Sequence, residues 1–193
     1  MSKLNKVLAD VRACTLCTGL PLGPRPVLRG KASARLLVIS QAPGTKVHMS
    51  GVSFTDRSGD RLRDWMGVDN DTFYDEARIA ILPMGMCYPG RLPQGGDRPP
   101  RSECAPLWHP RIVPLFSKVE LILLVGSYAT DYYLGDKSKR TLAETVAAWR
   151  DYGPRFMPLP HPSWRNTGWL KNNPWFAEDL LPVLRRRVKT LLR

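Results

Sequence analysis

Arg35-Leu-Leu-Val-Ile-Ser-Gln-Ala-Pro-Gly44, running on to Ser53-Phe-Thr-Asp-Arg-Ser-Gly-Asp60, is the stretch on which the fold turns. Leu36 to Ile39 is an unbroken apolar run, the pattern of a strand buried on both faces of a parallel sheet. The strand stops at Ser40, because Pro43 has no N–H to give a neighbour and Gly44 permits a sharp turn. Backbone and side chains of Gln41 to Gly44 are therefore presented just past the strand's carboxyl end, where open α/β sheets bind ligands. Gly51, Phe54 and Asp56 follow, and a helix is expected to open near Ser58 with Asp60 in its first turn. An aromatic side chain and a carboxylate are thus carried on one loop.

Three further strands are expected at residues 78–84, 121–125 and 155–159, each apolar and each bounded by turn residues. Helices are expected between and around them. Leu4, Val7, Leu8 and Val11 make an apolar stripe over residues 3–11, and residues 58–67 end at a glycine. Residues 103–116 read as helical, with Pro106 and Pro110 confining or kinking the helix. Ser127 to Tyr133 follows the third strand, Thr141 and Glu144 have the spacing of a capping box, and residues 175–192 form a long helix with a basic end. This alternation of strand and helix predicts a single domain, residues 1–193, with a parallel sheet between helical layers. Residues 19–30 should cross the surface irregularly. The Pro/Gly/Arg-rich stretch 88–101 is too long for a mere connector and reads as a working loop.

With 193 residues, 43% of them hydrophobic, the chain can build a core without staples. Lys and Arg number 29 against 17 Asp and Glu, and the resulting net charge of +12 favours a polyanionic partner over a small neutral one. Neither a membrane-length apolar run nor a secretion signal is evident, so a cytoplasmic protein with no membrane partner is expected.

Four cysteines form two pairs, Cys14-x2-Cys17 and Cys87-x16-Cys104, the second bracketing the basic loop. Cytosolic chains of this size do not need disulfides, which leaves a metal site, a redox pair or buried thiols. No thioredoxin-like βαβ pattern surrounds Cys14, which speaks against the redox pair. Four soft thiolates suit tetrahedral zinc or an iron–sulfur cluster equally, and spacing does not separate these.

Taken in order, Ser-Gln-Ala-Pro-Gly after the first strand, Ser-Phe-Thr-Asp-Arg-Ser-Gly-Asp, the two cysteine pairs, and His161-Pro162-Ser163 after the last strand resemble the uracil-DNA glycosylase superfamily. Within it they are most similar to the bacterial and archaeal branches that carry a [4Fe-4S] cluster. The resemblance implies a three-layer α/β/α sandwich around a four-stranded parallel sheet, and a cluster (alternatively Zn) on Cys14, Cys17, Cys87 and Cys104. It implies a monomer whose partner is DNA containing a damaged base. Gln41, Ala42, Pro43 and Gly44 match the family's water-and-sugar loop, and Phe54 matches the aromatic on which the extruded base stacks. His161 matches the histidine that stabilises the departing base, while Pro162, Ser163 and Trp164 match the loop that pinches the backbone and fills the vacated stack. The chain departs from the pattern at Ala42, where the best-known members have Asp or Asn, and at Gln41, where some relatives have Glu. It departs again at Pro83, where cluster-bearing relatives have a base-reading Asn.

Cleaving the bond between base and sugar develops positive charge on the sugar and negative charge on the base. A carboxylate near the sugar and a hydrogen-bond donor near the base answer those charges. Asp56, with Asp60 behind it, is the candidate carboxylate, because position 42 offers none. His161, fixed between two prolines, is the candidate donor. His48 is a candidate for positioning DNA or water, the alternative being an exposed loop histidine; His109 reads as a satisfied structural one. Arg91, Arg98, Arg101, Lys171 and Arg185 to Arg187 are candidates for phosphate contacts.

Overall fold

The structure, a computed structural model, describes residues 2–193. Its centre is a sheet of four parallel strands, β1 (Leu36–Ser40), β2 (Ile79–Pro83), β3 (Leu121–Val125) and β4 (Phe156–Leu159), in the order β2-β1-β3-β4. Every residue of β1, β2 and β3 is buried, as their apolar runs require of strands covered on both faces. The period-two alternation of side chains divides those runs between two cores. Leu36, Val38, Ile79, Ile81, Leu121 and Leu123 face one layer, and Leu37, Ile39, Ala80, Leu82, Ile122 and Leu124 face the other.

The helical layers follow from capping and periodicity. α1 (Lys3–Arg12) starts where the Ser2 hydroxyl accepts from Asn5 N at 3.2 Å, and it buries Leu4, Val7, Leu8 and Val11. Two helices lie between β1 and β2 that sequence reasoning did not expect, α2 (Thr45–Ser50) and, beyond α3 (Arg57–Met66), α4 (Asn70–Tyr74). Each is too short to display an apolar stripe. α5 (Cys104–Ile112) tolerates Pro106 in its first turn, contains Pro110, and decays into a 3-10 turn at Val113–Leu115. After β3 come α6 (Ser127–Leu134) and α7 (Leu142–Ala147), the latter with the reciprocal Thr141–Glu144 capping box in place. α8 (Thr167–Asn172) was not foreseen. The long carboxyl-terminal helix opens as a widened π turn at Phe176–Leu180 before becoming α9 (Leu181–Leu191); Pro182 has no N–H for the carbonyl four residues back.

α3 and α9 cover one face of the sheet; α1, α5 and α6 cover the other, giving three layers, α/β/α. Residues 19–30 are indeed irregular, but they shield the free edge of β2: Arg29 N donates to Ile81 O at 3.0 Å and Ile81 N donates back at 2.8 Å. No helix among the described residues is long and apolar enough to cross a membrane. Because the chain leaves β1 for β2 on one side and returns for β3 on the other, the loop after β1 lies at the point where strand order reverses.

Candidate active site

The loop after β1 is tied to the exit of β2, with Met84 N donating to Ser40 O at 2.8 Å and Gly85 N to Gln41 O at 2.9 Å. Gln41, Ala42 and Gly44 are half-buried and Pro43 is buried. Gly44 then leads into α2, which carries His48 inward: the ring is 5% exposed, its centroid lies 6.1 Å from that of Tyr88, and Nδ1 has no hydrogen-bond partner. His48 is therefore not the exposed loop histidine of the alternative reading.

Phe54 has φ +60°, a left-handed backbone that bulky residues rarely adopt. Its carbonyl explains how the conformation is held. Tyr74 Oη donates to Phe54 O at 2.9 Å and Arg63 Nη1 donates to it at 3.1 Å, while Arg63 Nη2 is anchored on Asp60 at 2.6 Å. Gly59 makes room, since a Cβ built there would stand 1.8 Å from the same oxygen. The ring packs edge-on against Phe73 at 5.9 Å and is 8% exposed. Asp56 is half-buried and caps α3, its Oδ1 accepting from Gly59 N at 3.1 Å. Asp60 is committed to Arg63.

His161 follows β4 and packs on the exit of β3, where a Cβ on Gly126 would lie 3.6 Å from the histidine Cβ. Side chains that sequence reasoning missed hold this loop: Asn166 Nδ2 donates to His161 O at 2.7 Å, and Arg61 reaches from α3 to Ser163 O at 2.7 Å and Thr167 Oγ1 at 3.2 Å. Burial lowers the His161 pKa below its ordinary value, and the nearby charge of Asp56 opposes that shift. The imidazole is accordingly neutral at pH 7 and keeps one N–H to donate. Trp164, at 71% exposure, stands out from the same loop.

Within the working loop of residues 88–101, residues 90–98 form a hairpin. Leu92 N donates to Gly96 O at 2.9 Å, Arg98 N donates to Gly90 O at 2.8 Å, and the backbones of Arg91 and Asp97 pair as an antiparallel β-bridge. The hairpin folds back across the other loops, so that a Cβ on Gly44 would lie 3.5 Å from Asp97 Oδ2 and one on Gly96 would lie 2.6 Å from Arg165 Nη1. Asp97 was not picked out from the sequence; its only signal there is the turn-forming Gly95-Gly96 before it. Asp97 is exposed as a residue, yet partial desolvation of its carboxyl raises its pKa, Arg91 and Arg165 pull it down, and Asp56 pushes it up. Arg98 is exposed, its Nε donating to Arg91 O at 3.2 Å. Arg101 points elsewhere, donating to Thr18 O at 3.0 Å.

His109 is enclosed far from this cluster, between Pro83 O at 3.0 Å and Tyr133 Oη at 2.7 Å. Because the carbonyl can only accept, Nε2 carries the proton and Tyr133 donates to Nδ1. This is the satisfied structural histidine expected.

Cys14, Cys17, Cys87 and Cys104 line one pocket with Val11, Met86, Trp108 and Arg101. Met86 N points at Cys104 Sγ from 3.5 Å. Burial, reinforced by the neighbouring thiols, pushes the Cys104 thiol up to about 11 and raises Cys17 and Cys87 as well. Four soft donors at one pocket, three of them with their thiolate forms disfavoured chiefly by burial, fit a cationic metal group, whose charge favours the thiolates. Among the described residues, no three His, Cys, Asp or Glu side chains stand close enough to hold one metal ion.

Loops leaving the carboxyl ends of the strands thus gather at one end of the sheet, where Gly44, Asp56, Asp97 and His161 come near one another and Phe54 precedes Asp56. Residues 28–185 match the model of a protein family described as Uracil DNA glycosylase superfamily. That span contains every strand and all of those loops, and it begins after Cys14 and Cys17.

Proposed function

From the premise that the chain belongs to the Uracil DNA glycosylase superfamily, whose members are in general DNA glycosylases acting in repair, we propose that it excises uracil or a related deaminated or oxidised base from DNA. The base is turned out of the stack, rests on Phe54 and is released by hydrolysis of its glycosidic bond. The observation that carries this reading is His161 on a loop whose backbone Asn166 holds at 2.7 Å, its imidazole kept neutral by burial and close enough to Asp56 to sense that carboxylate's charge. A neutral imidazole donates to a developing base anion without first losing a charge, and the carboxylate answers the positive charge on the sugar. Lost stacking and pairing, a few kcal/mol, are offset by the aromatic face of Phe54 and by the exposed Trp164, which is suited to enter the gap.

Four thiolates from Cys14, Cys17, Cys87 and Cys104 would hold a [4Fe-4S] cluster. When bound, its iron–thiolate bonds would cross-link the end of α1 to both roots of the hairpin. Zinc is the alternative occupant of the same four thiolates.

A second reading, a DNA-damage-binding module without turnover, is favoured by Ala42 and Pro83, which offer no polar side chain, and by Asp56 Oδ1 being used as a helix cap. One experiment decides between them. Oligonucleotides carrying uracil, hypoxanthine, xanthine or hydroxymethyluracil are incubated with the protein and cleaved with alkali. The glycosylase reading expects excision of at least one base, slowed about a hundredfold or more by His161→Ala and by Asp56→Asn with DNA affinity kept within a few-fold. Tight lesion binding with no excision of any base would leave the binding module.

A further inference from the structure

Resting on the glycosylase reading, we propose that Asp97, at the far end of the hairpin, is a catalytic residue: the carboxylate that activates the attacking water. Three observations converge on it. The hairpin 90–98 is closed by backbone hydrogen bonds from Arg98 N to Gly90 O at 2.8 Å and from Leu92 N to Gly96 O at 2.9 Å, so Asp97 is held in position although it lies far along the chain from the loop after β1. Its Oδ2 lies over Gly44, at 3.5 Å from where a Cβ would stand, at the loop where position 42 has no carboxylate of its own. And it is uncommitted: Asp56 gives Oδ1 to Gly59 N and Asp60 is held by Arg63, whereas no ion pair within 4.0 Å and no side-chain hydrogen bond engages Asp97 among the described residues.

The electrostatic surroundings agree. Arg91 and Arg98 lie on its own hairpin, Asp56 faces it from the cap of α3 and Arg165 from the His161 loop. Although Asp97 is exposed as a residue, partial desolvation of its carboxyl and the charge of Asp56 raise its proton affinity against the pull of Arg91 and Arg165, which is the direction a group that must take a proton from water needs. In the step, the oxygen of water bonds to C1′ of the sugar while one of its protons passes to Asp97. The bond from C1′ to the base nitrogen breaks, its electron pair leaves with the base, and the His161 N–H donates to the base's carbonyl oxygen. The proton on Asp97 then returns through solvent to the base, leaving an abasic sugar, the free base and the enzyme unchanged.

The test is single-turnover excision of whichever base the wild type removes, by Asp97→Asn and Asp97→Ala, with DNA affinity and thermal unfolding measured alongside. The expected result is a hundredfold or greater loss of rate in both, with unfolding unchanged and DNA binding equal or a few-fold tighter, since a negative charge has been removed beside the phosphates. The wild-type rate should also fall on acidification at a pH above the ordinary carboxylate range, and Asp97→Asn should lack that limb. Excision by Asp97→Asn within threefold of wild type overturns the assignment and leaves the glycosylase reading intact. A wild type that excises no base overturns both.

Discussion

Replacing Gly59 by alanine sets two physical effects against each other. Gly59 lies in the first turn of α3, and in an exposed helix interior Gly→Ala gains up to about 1 kcal/mol of helix propensity. Here the new methyl would stand 1.8 Å from Phe54 O, 2.6 Å from Phe54 C and 2.9 Å from Phe54 Cβ. These are backbone or near-backbone atoms with no rotamer to escape into, so Phe54 must move by more than an ångström. Its carbonyl then loses the Arg63 hydrogen bond, worth about 1.5–3 kcal/mol because the donor is charged, and the Tyr74 one, worth about 1 kcal/mol. Set against the propensity gain, the net loss is about 2–3 kcal/mol, or roughly 4–12 °C in Tm for a chain of this size. Differential scanning calorimetry reads it, with Gly168→Ala as the control, because nothing lies within 4 Å of a Cβ there. Lesion excision should fall with it, as the ring leaves its place. Gly59→Ala unfolding at or above the wild-type temperature would refute the account of the Phe54 backbone.

Protein purified without oxygen should be brown with about four irons per chain, and Cys104→Ser should lose both; colourless protein holding one zinc would sink the cluster. DNA affinity should fall steeply with salt, the slope dropping by about one unit in Arg98→Gln, whereas Arg101→Gln, which frees Thr18 O beside Cys17, should lower metal content instead. A slope that Arg98→Gln leaves unchanged would remove Arg98 from the phosphate contacts. Burial holds the His109 pKa down at about 4 against its ordinary 6.5, so the unfolded chain binds the proton first as pH falls. The stability due to neutral His109 is complete above pH 6.5 and is lost progressively towards pH 4, at most about 3 kcal/mol. Urea midpoints at pH 7 and pH 4.5 should therefore differ more in wild type than in His109→Gln, and equal differences would show that the imidazole is not the titrating group.

What was legible in the sequence is what neighbouring residues decide together. β1, β3 and α1 could be placed to within a residue because an apolar run or a 3.6-residue stripe is local, and so could the Thr141–Glu144 capping box, whose partners lie three apart. α2, α4 and α8 were not legible, being only five or six residues long, stabilised by what they pack against and not by any pattern of their own. The site divides in the same way. Phe54, Asp56 and His161 stand beside turn residues at strand ends and could be picked out singly. The reasons they are held where they are reach across the chain: Arg61 clamps Ser163 O from 102 positions away, Tyr74 holds Phe54 O from 20, and Asp97 is brought beside Gly44 by a hairpin closed mainly by backbone bonds.

That contrast bears on the departures from the family pattern. A catalytic carboxylate need only be near the sugar in space, and the strand order β2-β1-β3-β4 puts the exits of β1 and β2 side by side, with Ser40 opposite Pro83. A loop leaving β2 can therefore bring a group beside the loop leaving β1, where position 42 has no carboxylate. Ala42 and Asp97 belong to those two loops, and reading either loop alone reports a missing residue. The same adjacency constrains Pro83, whose carbonyl is bound to the His109 ring at 3.0 Å and whose side chain has no donor or acceptor. Any polar contact to the edge of a base resting on Phe54 must then come from outside β2. His48, buried on α2 with Nδ1 unpartnered, and Ser53, adjacent to Phe54 with a buried hydroxyl likewise unpartnered, are the fully buried polar side chains on the intervening stretch with such capacity left.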